Sequence, residues 1–127
     1  VYFDGGVPDS IPLAKAFDDG CKKAVVVLTQ VRGFEKQPVK QQRTVRRVLK
    51  QYPALAEAVL NRHEMYNRQL AYVYEQEKLG NCFVIAPAAD LHCSTIERNV
   101  TKLERIYQLG LVQGRQKADE LKAFLEK

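Results

Sequence analysis

The chain has 127 residues, of which 46% are hydrophobic and 28% are charged. This composition is typical of a globular domain and excludes a disordered tail, a collagen-like repeat and a small disulfide scaffold. The longest uninterrupted apolar stretch, residues 24–28, is far shorter than the roughly 18 residues of a membrane-spanning helix. Twenty Lys and Arg against 15 Asp and Glu give a net charge of +5, which favours anionic partners without identifying one.

The first residues predict a strand and a turn. Tyr2 and Phe3 are typical of a strand, and the following Asp4-Gly5-Gly6 is typical of a turn because glycine tolerates positive φ. The apolar start without a methionine predicts that the gene begins upstream of Val1. A short helix is expected over residues 11–19, with Ser10 as its N-cap and Gly20 after its C-terminus.

The middle of the chain predicts a buried strand followed by two helices. Residues 24–29 form an unbroken β-branched run, which suits a strand covered on both faces in a parallel sheet. After a polar loop over 32–40, a helix is expected over 41–52 with one apolar stripe. The stripe consists of Val45, Val48, Leu49 and Tyr52. A long helix is expected over 54–79, ended by Gly80; its stripe is Ala56, Val59, Leu60, His63, Tyr66, Leu70, Val73 and Tyr74.

The last third predicts a second buried strand over 81–87 and a helical region over about 99–127. Gly110, Gly114 and Ala118 are four residues apart on one side of that helix. Each helical glycine costs about 1 kcal/mol relative to alanine. Two interpretations remain open: another backbone approaches the glycines closely, or the helix breaks near Gly110.

The element order predicts an α/β fold that is incomplete. Two apolar strands and a fragment of a third are fewer than the roughly five of an average sheet. The three portions are a turn, helix and core strand over 1–31, a basic loop and two helices over 32–80, and a strand and helical region over 81–127. We therefore expect half of an α/β sheet domain.

The opening block resembles the second half of a bacterial patatin-like phospholipase domain. It runs from Tyr2 through Asp4-Gly5-Gly6 to Leu13, with Ala16, Gly20 and the strand 24–30. In that family an Asp-Gly-Gly or Asp-Gly-Ala turn supplies the aspartate of a Ser-Asp catalytic dyad. A softer similarity follows at Val84-Ile85-Ala86-Pro87, Leu91, Leu103, Tyr107 and Gly110, so the resemblance covers nearly the whole chain.

The resemblance implies an enzyme of which this chain is the C-terminal portion. The implied fold is an incomplete three-layer αβα domain, consisting of the second half of the family's sheet domain and the C-terminal helices. The family's nucleophile lies in a GxSxG elbow, and no such motif occurs here, since Ser10 and Ser94 lack flanking glycines. The implied partners are an N-terminal half carrying the nucleophilic serine and a lipid or ester substrate. The implied location is cytoplasmic, with peripheral contact at a membrane, and the implied chemistry needs no cofactor.

Asp4 is the candidate catalytic residue, and Gly5 and Gly6 shape its turn. A serine hydroxyl is a weak nucleophile until a base accepts its proton, and in a dyad a carboxylate is that base. Partial burial would bring its pKa nearer to neutrality, and we expect that burial at Asp4. The alternative is that Asp-Gly-Gly is merely a turn, since these residues dominate turns.

A basic segment lies between residues 32 and 50, with seven Lys or Arg and one acid. Its helical part places Arg43, Arg46, Arg47 and Lys50 on one face, which could contact an anionic membrane surface. The alternative is a solvated outer face. Nucleic acid is not an expected partner, because no aromatic interleaving or nucleic-acid-binding motif accompanies the charges. A non-catalytic module that docks on a partner or membrane through this helix is the rival interpretation of the whole chain.

Cysteines and histidines give no strong signal. Cys21, Cys82 and Cys93 are odd in number and irregularly spaced, which favours reduced thiols in an intracellular protein, with Cys82 in the core. We expect no metal; a site built from His92, Cys93 and distant ligands is the open alternative. His63 is expected as a partly buried residue of a helix face.

Overall fold

The computed structural model describes residues 3–94 and 96–126. Within these residues the elements are α1 (Leu13–Asp18), β1 (Ala24–Val27), α2 (Gln42–Val48), α3 (Pro53–Lys78), β2 (Cys82–Ile85) and α4 (Val100–Glu126). The described part of the chain is thus a mixed α/β structure with four helices and a small two-stranded parallel sheet. None of its helices combines the length and apolarity needed to cross a membrane.

The sheet pairs β1 with β2 in parallel, from Ala24 opposite Cys82 to Val27 opposite Ile85. Parallel strands cannot be joined by a hairpin, and α2 and α3 form the crossover between them. Side chains alternate along β2, so Cys82 and Val84 face one side while Phe83 and Ile85 face the other.

The core lies between α3 and the Cys82 side of the sheet. Its buried members are Leu13, Leu28, Leu70, Val73, Cys82 and Val84. Val73 has no exposed surface, and the Cys82 thiol donates to its carbonyl oxygen at 3.4 Å. The predicted core position of Cys82 and the predicted apolar stripe of α3 are therefore confirmed.

The opposite side of the sheet is covered only in part. α4 packs on β2 there, with the rings of Phe83 and Phe124 5.7 Å apart. On the adjacent strand Val25 and Val27 are 40% and 70% exposed. The prediction that this strand is buried on both faces is wrong for the described residues, because none of their helices covers β1 on this side.

The region before β1 differs from expectation at three points. Phe3 belongs to no strand, while Tyr2 lies outside the described residues. Ser10 does not cap α1; its hydroxyl donates to the Gly6 carbonyl at 2.7 Å, and Pro12 occupies the N-cap position. Neither Gly5 nor Gly6 has a positive φ, so the turn does not use glycine's access to that region. By contrast, Gly20 follows the helix with φ +96°, as predicted.

The helix predicted over 41–52 is shorter than expected. α2 ends at Val48, which is 74% exposed, and Tyr52 is 47% exposed. Two of the four predicted stripe residues thus lie largely in solvent, and Val45 and Leu49 are the half-buried ones. α3 then starts at Pro53, and Gly80, with φ +77°, follows its C-terminus as predicted.

α4 is one continuous helix through both of its glycines. The interpretation that the helix breaks near Gly110 is therefore wrong. Apart from the neighbouring backbone of α4 itself, no atom of the described residues comes within 4 Å of where a Cβ on Gly110 or Gly114 would lie. Close approach of another backbone to these glycines remains a prediction. Lys127, the predicted end of this helical region, lies outside the described residues.

Candidate functional site

The Asp-Gly-Gly turn predicted at the start of the chain is present. The Val7 amide donates to the Asp4 carbonyl and the Asp9 amide to the Gly5 carbonyl, both at 3.0 Å. The Gly6 amide donates to Asp4 Oδ1 at 2.8 Å, which fixes the carboxylate against its own turn. Asp4 can hold this position because its side chain is short enough to accept from the backbone two residues ahead.

The surroundings of Asp4 differ from the expected partial burial. Its side chain is exposed in the described part of the chain, so the expectation of a half-buried carboxylate is wrong there. Space beside the carboxylate is nevertheless limited on the glycine side. A Cβ added to Gly6 would lie 3.3 Å from Asp4 Oδ1, which is tighter than ordinary van der Waals contact. Glycine at position 6 therefore avoids a close contact between a side chain and the Asp4 carboxylate.

Two polar residues of α3 tie the turn to the core. Arg62 Nε donates to Ser10 Oγ at 3.3 Å, and Ser10 in turn donates to the Gly6 carbonyl. Gln69 bridges the next residues, because its carbonyl accepts from the Ile11 amide at 3.0 Å and its amide donates to the Asp9 carboxylate. Arg62 and Gln69 are seven residues apart and so lie on the same side of α3.

The α3 side of the turn carries positive charge. Arg62 Nη2 lies 3.6 Å from the position a Gly6 Cβ would take, so the guanidinium and the Asp4 carboxylate flank the same glycine. Removal of Lys36 from water, together with the charge of Arg62, lowers the pKa of the Lys36 amine. Lys36 Nζ also lies 5.2 Å from the ring centroid of Tyr66, whose pKa burial raises. An anionic group at the turn would meet the Arg62 guanidinium, with Lys36 further along the same side of α3.

A groove of about 380 Å³ runs along the free edge of β1. Its walls are residues 10–13, Ala16, residues 24–29 and Tyr66, which are mostly apolar. The amides of Ala24 and Leu28 donate towards β2, so by alternation the N–H groups of Val25 and Val27 point towards the groove. The groove therefore joins an apolar wall to a row of backbone donors and acceptors.

The predicted basic residues stand apart from the turn, on and after α2. Arg43, Arg46, Arg47 and Lys50 are all exposed. Arg46 forms an ion pair with Glu57 of α3, and among the described residues no ion pair involves the other three. Val48, an exposed apolar side chain, lies between Arg47 and Lys50 in the sequence.

The remaining candidate ligands do not converge. His63 is half-buried on α3 with Nδ1 2.9 Å from the Leu60 carbonyl, as expected of a helix-face histidine. His92 and Cys93 are exposed, and His92 Nδ1 lies 3.4 Å from Asp90 Oδ2. Across residues 3–94 and 96–126, no three His, Cys, Asp or Glu side chains are grouped so as to hold a metal ion.

Sequence reasoning missed Arg62 and Gln69, although both contribute to the environment of the turn. The signal that could have found them is their spacing. Arg62 and Gln69 are seven positions apart and border the apolar stripe of a long helix. Polar residues at the edge of a stripe can contact the segments that pack against it, whereas polar residues on the opposite face contact only solvent. The sequence identifies Lys36 only as part of a basic segment, whereas the structure places it against α3, where its backbone amide donates to Asn67 Oδ1 at 2.8 Å.

Comparison with known proteins gives one family. Residues 52–126 match the model of a family described as a domain of unknown function (DUF6363). The match spans more than half of the 127 residues and covers α3, β2 and α4, while the Asp4 turn and the basic residues of α2 lie before it. No curated protein and no solved structure matches the chain. The chain therefore belongs to the DUF6363 family.

Proposed function

We propose that this chain carries the general base of a Ser-Asp acyl hydrolase, with Asp4 as that base. The observation that carries the proposal is the held but accessible carboxylate of Asp4. Its Oδ1 accepts from the Gly6 amide, and the hydrogen bonds of the described residues leave Oδ2 for a hydroxyl. The resemblance to patatin-like phospholipases supports the same residue on independent grounds.

In the proposed mechanism Asp4 accepts and releases one proton in each of two half-reactions. The serine hydroxyl attacks the carbonyl carbon of a carboxylic ester while its proton passes to the Asp4 carboxylate. That proton then goes to the departing alcohol, which leaves an acyl-serine. In the second half-reaction Asp4 accepts a proton from water as the water attacks the acyl-serine, and the proton returns to the serine oxygen.

The serine belongs, in this proposal, to a segment of the enzyme that carries a GxSxG elbow. The groove beside β1 supports a place for that segment, because an added strand would pair with the N–H groups of Val25 and Val27. The exposed side chains of the same two residues offer apolar area to cover. A third strand there would extend the sheet, and helices on both of its faces would complete the three-layer αβα arrangement.

Ester hydrolysis by the full polypeptide tests the proposal. Asp4→Asn keeps the hydrogen bond from Gly6 but removes the base, so we expect the turnover number to fall at least about a hundredfold. Asp18→Asn, an exposed carboxylate of α1, is the matched control and keeps wild-type turnover. The 127-residue chain alone hydrolyses no ester. An unchanged turnover number in Asp4→Asn would contradict the proposal.

A second candidate function is a non-catalytic module that docks on an anionic membrane surface through α2. The observation that favours it is the exposed apolar side chain of Val48 on a helix that also exposes Arg43 and Arg47, with the exposed Lys50 shortly after it. Each cation near an anionic surface contributes about 1 kcal/mol. The interaction would weaken with salt because exposed charges are screened.

Co-sedimentation with vesicles separates this candidate from the hydrolase. The module predicts binding to vesicles rich in phosphatidylserine and none to pure phosphatidylcholine. The double variant Arg43→Ala and Arg47→Ala loses that binding, whereas the control Lys78→Ala, at the far end of α3, keeps it. Equal recovery of wild type and double variant on anionic vesicles contradicts the module and leaves the hydrolase proposal untouched.

A further inference from the structure

α4 carries a continuous apolar stripe that the rest of the described chain leaves largely uncovered. Its first half consists of Val100, Leu103, Tyr107 and Leu111, spaced three or four residues apart. The first three are 77%, 42% and 60% exposed. The stripe lies about a quarter turn away from the side of α4 that contacts β2, since each residue advances roughly 100°.

The hydrogen bonds that join α4 to the sheet region lie in its second half. Gln113 donates to the Ala86 carbonyl, and Lys23 Nζ donates to the Phe124 carbonyl at 2.8 Å. These contacts fix the helix without covering the stripe, which leaves a long apolar surface of the kind that marks an interaction site.

The stripe continues through the second half of the helix with smaller residues at its centre. Gly114, Ala118, Leu121 and Leu125 keep the spacing of three or four. A repeat close to 3.5 residues along one helix is the pattern that packs against another helix with interlocking side chains. The open space above Gly114 is the feature that would let a second backbone approach closely.

We propose that this stripe binds the same stripe of a second copy of the chain, as an antiparallel α4 pair. In one register every large residue of the first half meets a residue of the second half of the other copy. Tyr107 lies opposite Ala118 and Leu111 opposite Gly114, so large side chains fill the spaces left by small ones. In the same register Val100 lies opposite Leu125, so the exposed residues at the two ends of the stripe cover each other.

Charge agrees with the same register. Glu104 and Lys122 lie on one flank of the stripe, at the same rotational position around α4. Their present partners are weak: Gln108 donates to Glu104 at 2.8 Å, and Lys122 Nζ lies 3.8 Å from Asp119 Oδ1 on a largely exposed surface. In the antiparallel pair, where the same flanks of the two helices face each other, Glu104 of each copy meets Lys122 of the other. A parallel pair in register would keep these two residues at different heights along the helices, too far apart to meet.

A second copy, and not another protein, is the occupant that these observations favour. A two-fold interface requires that when residue i of one copy meets residue j of the other, j of the first also meets i of the second. The pairs of large and small residues, Tyr107 with Ala118 and Leu111 with Gly114, satisfy this condition. The pair of opposite charges, Glu104 with Lys122, satisfies it in the same alignment of the two helices. A surface made for a different partner would have no reason to be complementary to itself.

Sedimentation equilibrium of the chain, over a wide range of concentration, measures the proposed pairing. Wild type is expected at twice the monomer mass of 14.5 kDa at high concentration. Tyr107→Glu, inside the stripe, is expected to stay monomeric. Val112→Glu is the control, since Val112 is also an exposed apolar residue of α4 but lies on another side, and it dimerises as wild type does. Circular dichroism verifies that both variants remain helical.

Charge reversal tests the antiparallel register. Glu104→Lys or Lys122→Glu alone weakens the dimer about tenfold, because each creates two repulsive contacts per dimer. The double variant restores wild-type affinity by reversing both partners. A wild-type chain that is monomeric throughout, or equal behaviour of Tyr107→Glu and Val112→Glu, overturns the interface. A double variant no tighter than the singles overturns the antiparallel pairing.

Discussion

The Gln69 side chain holds the segment that follows the Asp4 turn against α3. It accepts from the Ile11 amide at 3.0 Å and donates to the Asp9 carboxylate, so one residue of α3 holds two residues that follow the turn. Both bonds are partly buried, which limits the replacement of either bond by water. Gln69→Ala removes both and leaves the Ile11 amide without its partner.

The expected cost follows from the kinds of bond that are lost. A neutral hydrogen bond contributes about 1 kcal/mol, and one to a charged group about 1.5 kcal/mol or more. Solvent reaches part of this site, so we expect Gln69→Ala to lower the free energy of unfolding by about 2 kcal/mol. Gln76→Ala is the control. Within the described part of the chain the Gln76 side chain accepts only from Asn81, on an exposed surface, and the expected cost is below about 0.5 kcal/mol.

Urea unfolding and amide exchange measure the two consequences. The midpoint of Gln69→Ala falls with little change in m, while that of Gln76→Ala stays near wild type. Hydrogen exchange of the Ile11 amide accelerates in Gln69→Ala alone, because that amide then opens to solvent without disrupting the core. Equal midpoints for the two variants together with unchanged Ile11 exchange would refute this reasoning.

Three further predictions concern the core, the helix ends and the thiols. Val73→Ala lowers the free energy of unfolding by about 2 kcal/mol, because it removes two buried methyl groups and leaves a cavity, whereas the exposed Val48→Ala changes it by less than about 0.5 kcal/mol; equal urea midpoints would contradict the core assignment. Gly80→Ala destabilises by about 1 kcal/mol at φ +77°, and Gly110→Ala stabilises by about the same amount in the open interior of α4; thermal unfolding that moves both variants in one direction would contradict these backbone assignments. Burial raises the pKa of the Cys82 thiol, so the folded chain keeps this thiol protonated at pH values where the unfolded chain ionises it. The free energy of unfolding therefore falls as the pH rises above the unfolded pKa near 9.0. At neutral pH a disulfide reagent therefore modifies the two exposed cysteines quickly and Cys82 only as the chain unfolds; rapid reaction at all three would contradict its burial.

Local patterns in the sequence predicted most of the elements because short-range physics decides them. The apolar stripe of α3 predicted the length of this helix and the face that packs in the core, and the structure confirms both. Gly20 and Gly80 follow the ends of their helices as predicted. β-branched residues identified β1 as a strand. The extent of its burial was wrong, since an unbroken apolar run is the same whether both faces are covered or only one.

The environment of the candidate site depends on contacts between distant residues, which single-sequence patterns do not contain. Ser10 was a reasonable N-cap by local rules, yet its hydroxyl is used by the Gly6 carbonyl and by Arg62, 52 residues later. The exposure of Asp4 has the same origin. Whether a carboxylate is buried depends on what packs over its turn, and the local Asp-Gly-Gly pattern fixes only the turn itself.

Labelling by a fluorophosphonate measures directly the proposed activation of a serine hydroxyl by Asp4. Such a probe forms a covalent bond with an activated serine and reports the hydroxyl's reactivity without any ester substrate. In the full polypeptide we predict rapid labelling of wild type and of the control Asp18→Asn, and at least about a hundredfold slower labelling of Asp4→Asn. Labelling of Asp4→Asn at the wild-type rate would contradict the claim.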